Sequence, residues 1–139
     1  MKNHTQILTI GRTIALLSAI LLGVSAFLPW GSSAYVSVDG MAGDGWITIS
    51  IGLLAFILLF VKRISIWLSL FFGILALIIG VVDFNAMLKA IKLVTDGSMG
   101  IGLYTTLLAS TGMVIGTIVE IIQERSKKLR KKLAYLDDE

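Results

Sequence analysis

Two carboxylates, Glu120 and Asp83, adjoin the ends of long apolar stretches in this chain. A charged group near hydrocarbon is costly, so a carboxylate in such a place is a candidate site for a proton or an ion. Glu120 lies one helical turn beyond Gly116, on the same helical face. Interfacial solvation and pairing with nearby basic groups are the simpler interpretation of Glu120, and both interpretations stay open at this point.

Other kinds of site have little support in the residue types. The chain has no cysteine and one histidine, His4, so thiol chemistry and a zinc site of several histidines are excluded. Asp39 and Asp44 could join Asp83 around a cation, but their spacing is not that of a calcium-binding loop. The glycine-rich turns also lack the lysine of a phosphate-binding loop. We therefore expect no enzyme activity, no cofactor and no metal.

Four apolar runs must position these residues. The chain is 56% hydrophobic and 15% charged, with a mean hydropathy of +0.91, and about 20 apolar residues cross a bilayer as a helix. We predict an all-α fold, a four-helix transmembrane bundle in up-down-up-down order with a small extracytoplasmic cap. The runs are Thr13–Trp30, Trp46–Val61, Ile64–Val82 and Ile101–Val119. Residues 1–12 would form an N-terminal segment, 13–122 the membrane domain and 123–139 a basic tail.

The basic residues give the predicted bundle an orientation. Of the 12 lysines and arginines, only Lys89 and Lys92 fall on the side opposite to the termini. Lysine and arginine accumulate on the cytoplasmic side, so both termini are predicted to be cytoplasmic in a multi-pass protein of the cell membrane. An alternative interpretation takes the first run as a signal peptide cleaved after Ala26.

Small residues recur every three or four positions in three of the runs. Such stripes let helix backbones approach closely in lipid. They could build the bundle itself or a contact between copies of the chain. The predicted packing residues are Gly11 just before the first run, Ala15, Ala19 and Gly23 within it, Ser69 and Gly73 in the third run, and Gly112 and Gly116 in the fourth.

A basic cluster follows the fourth run. Basic groups beside an anionic leaflet contribute about 1 kcal/mol each, so we predict that the cluster binds anionic lipids of the bilayer and no nucleic acid. The predicted lipid-surface residues are Arg125, Lys127, Lys128, Arg130, Lys131 and Lys132.

The predicted cap has weak signals of regular structure. Tyr35–Val38 followed by Asp39-Gly40 indicates a strand and a turn, and Asp44 could cap the second helix. The helical spacing of apolar residues between Phe84 and Val94 indicates that the third helix continues beyond the membrane or bends along its surface.

One stretch resembles a known group of proteins. Leu28-Pro29-Trp30 is followed by a Gly/Ser-rich segment and by Gly43-Asp44-Gly45-Trp46-Ile47-Thr48-Ile49. This pattern resembles a widespread group of small, uncharacterised four-span membrane proteins of bacteria, mainly over residues 28–60. The resemblance implies a bacterial membrane protein and carries no activity to transfer. The layout is also similar to that of claudins, although their loop cysteine pair is absent, so this second likeness is architectural.

The expected function is non-enzymatic. We predict an integral membrane protein that acts through protein–protein contacts, such as an accessory or immunity-type subunit. The alternative is an oligomeric channel or small transporter in which self-association along Gly112 and Gly116 places Glu120 at a pore mouth. An enzyme acting on lipid is a third hypothesis, which would need clustered acidic or histidine side chains at one interface.

Overall fold

The computed structural model describes residues 9–33, 35–60, 65–93 and 96–137. Within them the chain is mostly helical, with four α-helices and a small sheet. The helices are α1 (Ile10–Ser25), α2 (Gly45–Phe60), α3 (Ser65–Ile91) and α4 (Ile101–Asp137). The strands are β1 (Pro29–Ser32), β2 (Ser37–Asp39) and β3 (Ser98–Met99), and a short 3₁₀ helix, Gly40–Ala42, follows β2. Lys62 and Arg63, the basic pair between the second and third apolar runs, and His4 lie outside the described residues.

Helix α1 is shorter than the first apolar run predicts. Thr9 caps its start by accepting a hydrogen bond from the Arg12 backbone N–H. The helix ends at Ser25 and not near Trp30, because Pro29 disfavours helical geometry at the preceding residue and cannot donate a backbone hydrogen bond. Residues 29–32 instead form β1. The purely all-α expectation is therefore incomplete, since a three-stranded sheet is part of the fold.

Helices α3 and α4 are longer than their apolar runs. The third helix continues without a break to Ile91, as one of the two predicted alternatives requires. Helix α4 has 37 residues, about 55 Å at the usual rise, and includes the basic tail as far as Asp137. By length and composition, two segments could cross a membrane, Ile66–Ile91 and Ile101–Ala134, while α1 and α2 are shorter apolar helices.

The four helices form a ring in which each packs against its two neighbours, α1 against α2 and α4, and α3 against α2 and α4. Neighbouring helices run antiparallel: on α1 and α4, for example, Ser25 meets Thr106 near one end and Arg12 meets Glu120 near the other. We call the end with the sheet the cap end and the opposite one the tail end. The small core clusters, such as Ala19 with Ala55 and Met113, lie inside this ring.

The tightest helix contact joins α1 and α4. A methyl group added at Gly116 would lie 2.6 Å from the Ala15 backbone nitrogen and 2.9 Å from the Gly11 carbonyl oxygen. These atoms belong to the backbone and cannot rotate away. Glycine is thus required at this crossing because the two backbones are in direct contact.

Candidate functional site

The cap is fixed to the helices by Trp30. Its indole is buried, and Nε1 donates a hydrogen bond to the Ser25 carbonyl oxygen at 3.0 Å. Gly40 and Gly102 flank the ring and leave no room for a side chain, since a Cβ at Gly40 would lie 2.6 Å from the indole. The Pro29–Trp30 pair therefore ends α1 and holds the sheet on the bundle.

The sheet has the strand order β2-β1-β3, with both pairings antiparallel. Ser32 pairs with Ser37 of β2 and with Ser98 of β3, and the hydroxyl oxygens of Ser32 and Ser98 lie 2.9 Å apart. The turn before β3 contains Asp96 in the left-handed backbone region, with φ 64°. Because β1 is central, β2 has one hydrogen-bonding edge that no described strand occupies.

An apolar cavity of about 280 Å³ lies between the sheet and the cap end of α3. Val36, just before β2, and Val38, within it, contribute to the wall of the cavity and are 60% and 42% exposed. Tyr35 next to them is 96% exposed. The other lining residues are Gly31, Ser32, Ser33, Met87, Ala90, Ile91 and Gly97. This edge and cavity form a concave apolar surface, which we call the cap groove.

The three predicted stripes of small residues lie at contacts between helices. Gly11 and Ala15 meet Gly116 of α4, and Gly112 lies against Ser18. Ala19 and Gly23 border Gly52 of α2, whose added Cβ would lie 2.9 Å from the Ala19 carbonyl oxygen. On α3, Gly73 faces Met113 and Val114, and Ser69 is fully buried. Intramolecular contacts thus occupy these faces, and self-association along Gly112 and Gly116 would have to displace α1.

Glu120 lies at the tail end of the α1–α4 contact. It is 2% exposed, and its Oε1 lies 4.0 Å from Nη1 of Arg12 on α1. Its Oε2 and the Oε1 of Gln123 are buried and have no hydrogen-bond donor among the described residues. Glu120 therefore faces a cation on the neighbouring helix of the same chain. Removing one partner of such a pair would leave the other charge buried without compensation.

Asp83 and Asp44 lie within electrostatic range of each other, but among the described residues they do not form a group of three with Asp39 that could hold a metal ion. Asp83 is half-buried on α3, and Asp39 accepts a hydrogen bond from the Ala42 backbone N–H at 3.1 Å, which caps the 3₁₀ helix. The Asp44 backbone carbonyl accepts from Ile47 and Thr48 at the start of α2. In the part of the chain that the structure describes, no three His, Cys, Asp or Glu side chains are grouped to hold a metal ion.

The basic residues of the tail fall into two sets. Arg125 and Lys128 line a cleft between the start of α3 and α4, together with Trp67 and Glu124. Lys127, Arg130 and Lys132 are exposed and do not line this cleft, and the side chain of Lys131 lies outside the described residues. The cleft has a volume of about 240 Å³.

Comparison with known proteins yields no match to any family model, curated protein or solved structure. A functional interpretation therefore depends on the geometry of this chain.

Sequence reasoning missed two groupings of side chains, Arg12 with Glu120 and Trp67 with Arg125 and Lys128. A signal for the first was present in the sequence. Arg12 follows Gly11, and Glu120 lies one turn from Gly116, so packing the two small-residue stripes together would have placed the charges side by side. The second grouping had no comparable signal, because it depends on how α3 and α4 are rotated about their axes.

Proposed function

We propose that this chain is a four-helix membrane-spanning protein, without enzymatic activity, that binds a protein partner through its cap groove. In this proposal the helices cross the cell membrane in up-down-up-down order, the cap lies outside, and the tail end with both termini is cytoplasmic. The observation that carries the binding role is the edge of β2 that no described strand occupies, next to an apolar cavity.

The distribution of side chains supports the membrane placement. Most buried residues of the bundle are small or hydroxylated, with a few large ones such as Leu22, Leu103 and Met113 among them, whereas many large aliphatic and aromatic residues are exposed on its outside. A water-soluble domain rarely exposes such extensive apolar surface, while helices in lipid associate through small residues. Buried examples are Ala15, Ala19, Ala55, Ala76, Ser110 and Thr117; exposed ones are Leu17, Leu53, Phe71, Ile78, Leu108 and Ile115.

The lengths and ends of the helices are compatible with this placement. Helices α1 and α2 have 16 residues each, about 24 Å at the usual rise, so the bilayer would thin locally or the flanking residues would enter the interface. Trp46 and Tyr104 are exposed at the cap ends of α2 and α4, and Trp67 is exposed at the tail end of α3. Aromatic residues at both ends are typical of the two membrane interfaces.

The cap groove fits an extended segment of a partner protein. A strand added beside β2 would pair with its free backbone groups, and apolar side chains on alternate positions would enter the cavity beside Val36 and Val38. Main-chain pairing supplies affinity in this mode of recognition, and the cavity supplies specificity.

A crosslinking experiment in cells tests the proposal. We expect a photoreactive amino acid at position 38 to form a discrete adduct with one protein, and Val36→Asp to abolish the adduct while leaving expression unchanged. Leu129→Asp, at an exposed position near the tail end, is the matched control and should keep the adduct. The proposal fails if the purified protein is a bare monomer and Val36→Asp changes neither crosslinking nor the cellular phenotype. Deleting residues 31–45 is a poorer test, because Gly31 and Gly40 pack against the rest of the fold.

The membrane placement has its own test. Single cysteines introduced at Tyr35 and at Ser126 should react with a membrane-impermeant maleimide from opposite sides of the membrane, the first in intact cells and the second only after lysis. The native chain has no cysteine, so no background labelling arises. Equal labelling of both positions in intact cells would contradict the predicted orientation.

A further inference from the structure

The cleft at the tail end differs in kind from the other cavities. The cap cavity and a groove between α1 and α2 are lined by mainly apolar residues, whereas this cleft presents Arg125, Lys128 and Glu124 above Ile66 and Ile121. Ile66 is only 7% exposed and Ile121 is half-buried, so the cleft has an apolar wall next to its charges. It therefore has an apolar side and a side with two cations and one carboxylate.

This pairing of surfaces matches a phospholipid at the membrane interface. Arginine binds phosphate through two parallel N–H bonds, and lysine adds a mobile point charge. Trp67, which is 59% exposed at the rim, has the amphipathic ring that prefers the headgroup level. Basic pockets between transmembrane helices on the cytoplasmic side are known as sites for anionic headgroups.

We propose that the cleft is a specific site for an anionic phospholipid of the cytoplasmic leaflet, with Arg125 and Lys128 binding its phosphate. The upper part of an acyl chain lies along Ile66 and Ile121. Two cations and one carboxylate leave the cleft with a net positive charge, which favours a lipid with one negative charge. The inference depends on the membrane placement proposed above, and it is independent of any partner at the cap groove.

Glu124 narrows the choice of headgroup. A carboxylate repels a bare phosphate monoester but accepts hydrogen bonds from hydroxyl groups. It would favour a headgroup whose hydroxyls extend beyond the phosphate, as in phosphatidylglycerol, over phosphatidic acid. Phosphatidylethanolamine also offers a donor to Glu124, but its neutral net charge leaves one cation of the cleft without compensation.

The chain offers a matched control for the phosphate ligands. Arg125→Gln with Lys128→Gln removes both cations of the cleft, and Lys127→Gln with Arg130→Gln removes the same charge from residues outside it. All four side chains are exposed on one helix, and none of them forms an ion pair among the described residues. Lys127 is close enough to the buried Glu120 to act on it electrostatically, so the stability of the control variant is measured beside its lipid binding. A diffuse attraction between the tail and an anionic surface would weaken equally in both.

Native mass spectrometry of the full chain in detergent, titrated with phosphatidylglycerol, measures the site directly. Each charge-assisted contact is worth about a factor of ten or more, so the cleft double variant, which removes two of them, should lose about a hundredfold in affinity, while the control stays within about twofold. Phosphatidic acid and phosphatidylethanolamine should bind more weakly than phosphatidylglycerol, and Glu124→Gln should reduce the discrimination against phosphatidic acid. Inorganic phosphate should not displace the lipid at millimolar concentration.

Three outcomes would overturn the assignment: an equal loss in the two double variants, equal binding of phosphatidylethanolamine, or complete displacement by inorganic phosphate. Maleimide labelling in intact cells, as described above, tests the membrane placement independently of lipid binding. If labelling gives the expected orientation and phosphatidylglycerol does not bind, the lipid site alone is wrong.

Discussion

The α1–α4 crossing provides the sharpest test of how the fold is held together, through the substitution Gly116→Ala. The added methyl carbon would lie 2.6 Å from the Ala15 nitrogen, while unstrained carbon contacts are found at about 3.5 Å or more. The two backbones must then separate by about 1 Å, and gaps of that size forfeit roughly a quarter to a half of the dispersion energy of each contact. Overpacking of this kind costs about 1–3 kcal/mol.

Gly23→Ala is the matched control, because an added Cβ at Gly23 meets no atom within 4 Å. Both substitutions gain the same intrinsic helix preference, about 1 kcal/mol, so that contribution cancels when the two variants are compared. We expect Gly116→Ala to be less stable than Gly23→Ala by about 1–3 kcal/mol, in reversible unfolding of the purified protein in mixed micelles followed by circular dichroism.

A second variant at the same crossing checks the geometry. Gly11→Ala should destabilise in the same way, since its added Cβ would lie 2.7 Å from the Gly116 carbonyl oxygen. In the double variant, the second methyl should cost less than the first, because one separation of the helices accommodates both. If Gly116→Ala and Gly23→Ala have the same stability, the close crossing of α1 and α4 is refuted.

Three further predictions concern the buried polar contacts. Trp30→Phe should lower the free energy of unfolding by about 1 kcal/mol, because the hydrogen bond from Nε1 to the Ser25 carbonyl is lost, whereas Trp46→Phe, at an exposed position, should have no effect in the same unfolding assay. Arg12→Met should destabilise by an amount near the low end of about 3–5 kcal/mol, since Glu120 is left buried without its cation. Adding Glu120→Gln should then recover much of that loss, and a strictly additive double-variant cycle would contradict the pairing. Thr106→Val removes the 2.8 Å hydrogen bond to the Ser25 hydroxyl and should cost roughly 0.6 kcal/mol, the average for such bonds between membrane helices; no change would show that this bond contributes nothing.

Hydropathy predicted the positions of the helices well where the signal is local. The second run, 46–61, corresponds to α2 at Gly45–Phe60, and the fourth run begins with α4 at Ile101. The first run was misjudged because apolar content continues through Pro29, although the helical backbone does not. Average hydropathy records which residues avoid water and contains no information on backbone geometry.

The sheet and the candidate sites needed information that one sequence does not contain. Strand β3 pairs with β1 across 66 positions, as between Ser32 and Ser98, and both strands are too short to show an alternating pattern. The cleft at the tail end is formed by the faces of α3 and α4 that meet there, and one sequence does not show which faces these are. The sequence placed Arg125 and Lys128 at one end of the bundle, but it could not distinguish them from Lys127, which lies on another face of α4.

The polar residues inside the bundle explain why recognition is assigned to its two ends. Ser110 and Thr117 each donate to the carbonyl oxygen four residues earlier on α4, so they can be buried among apolar neighbours without any external partner. A carboxylate has no such local solution because it cannot donate, and Glu120 is therefore found where α1 supplies Arg12. Among the described residues, the proposals above assign the outer edge of β2 at the cap and the cations of the tail-end cleft to external partners. These lie at opposite ends of the molecule, so a protein bound at one and a lipid bound at the other would not compete.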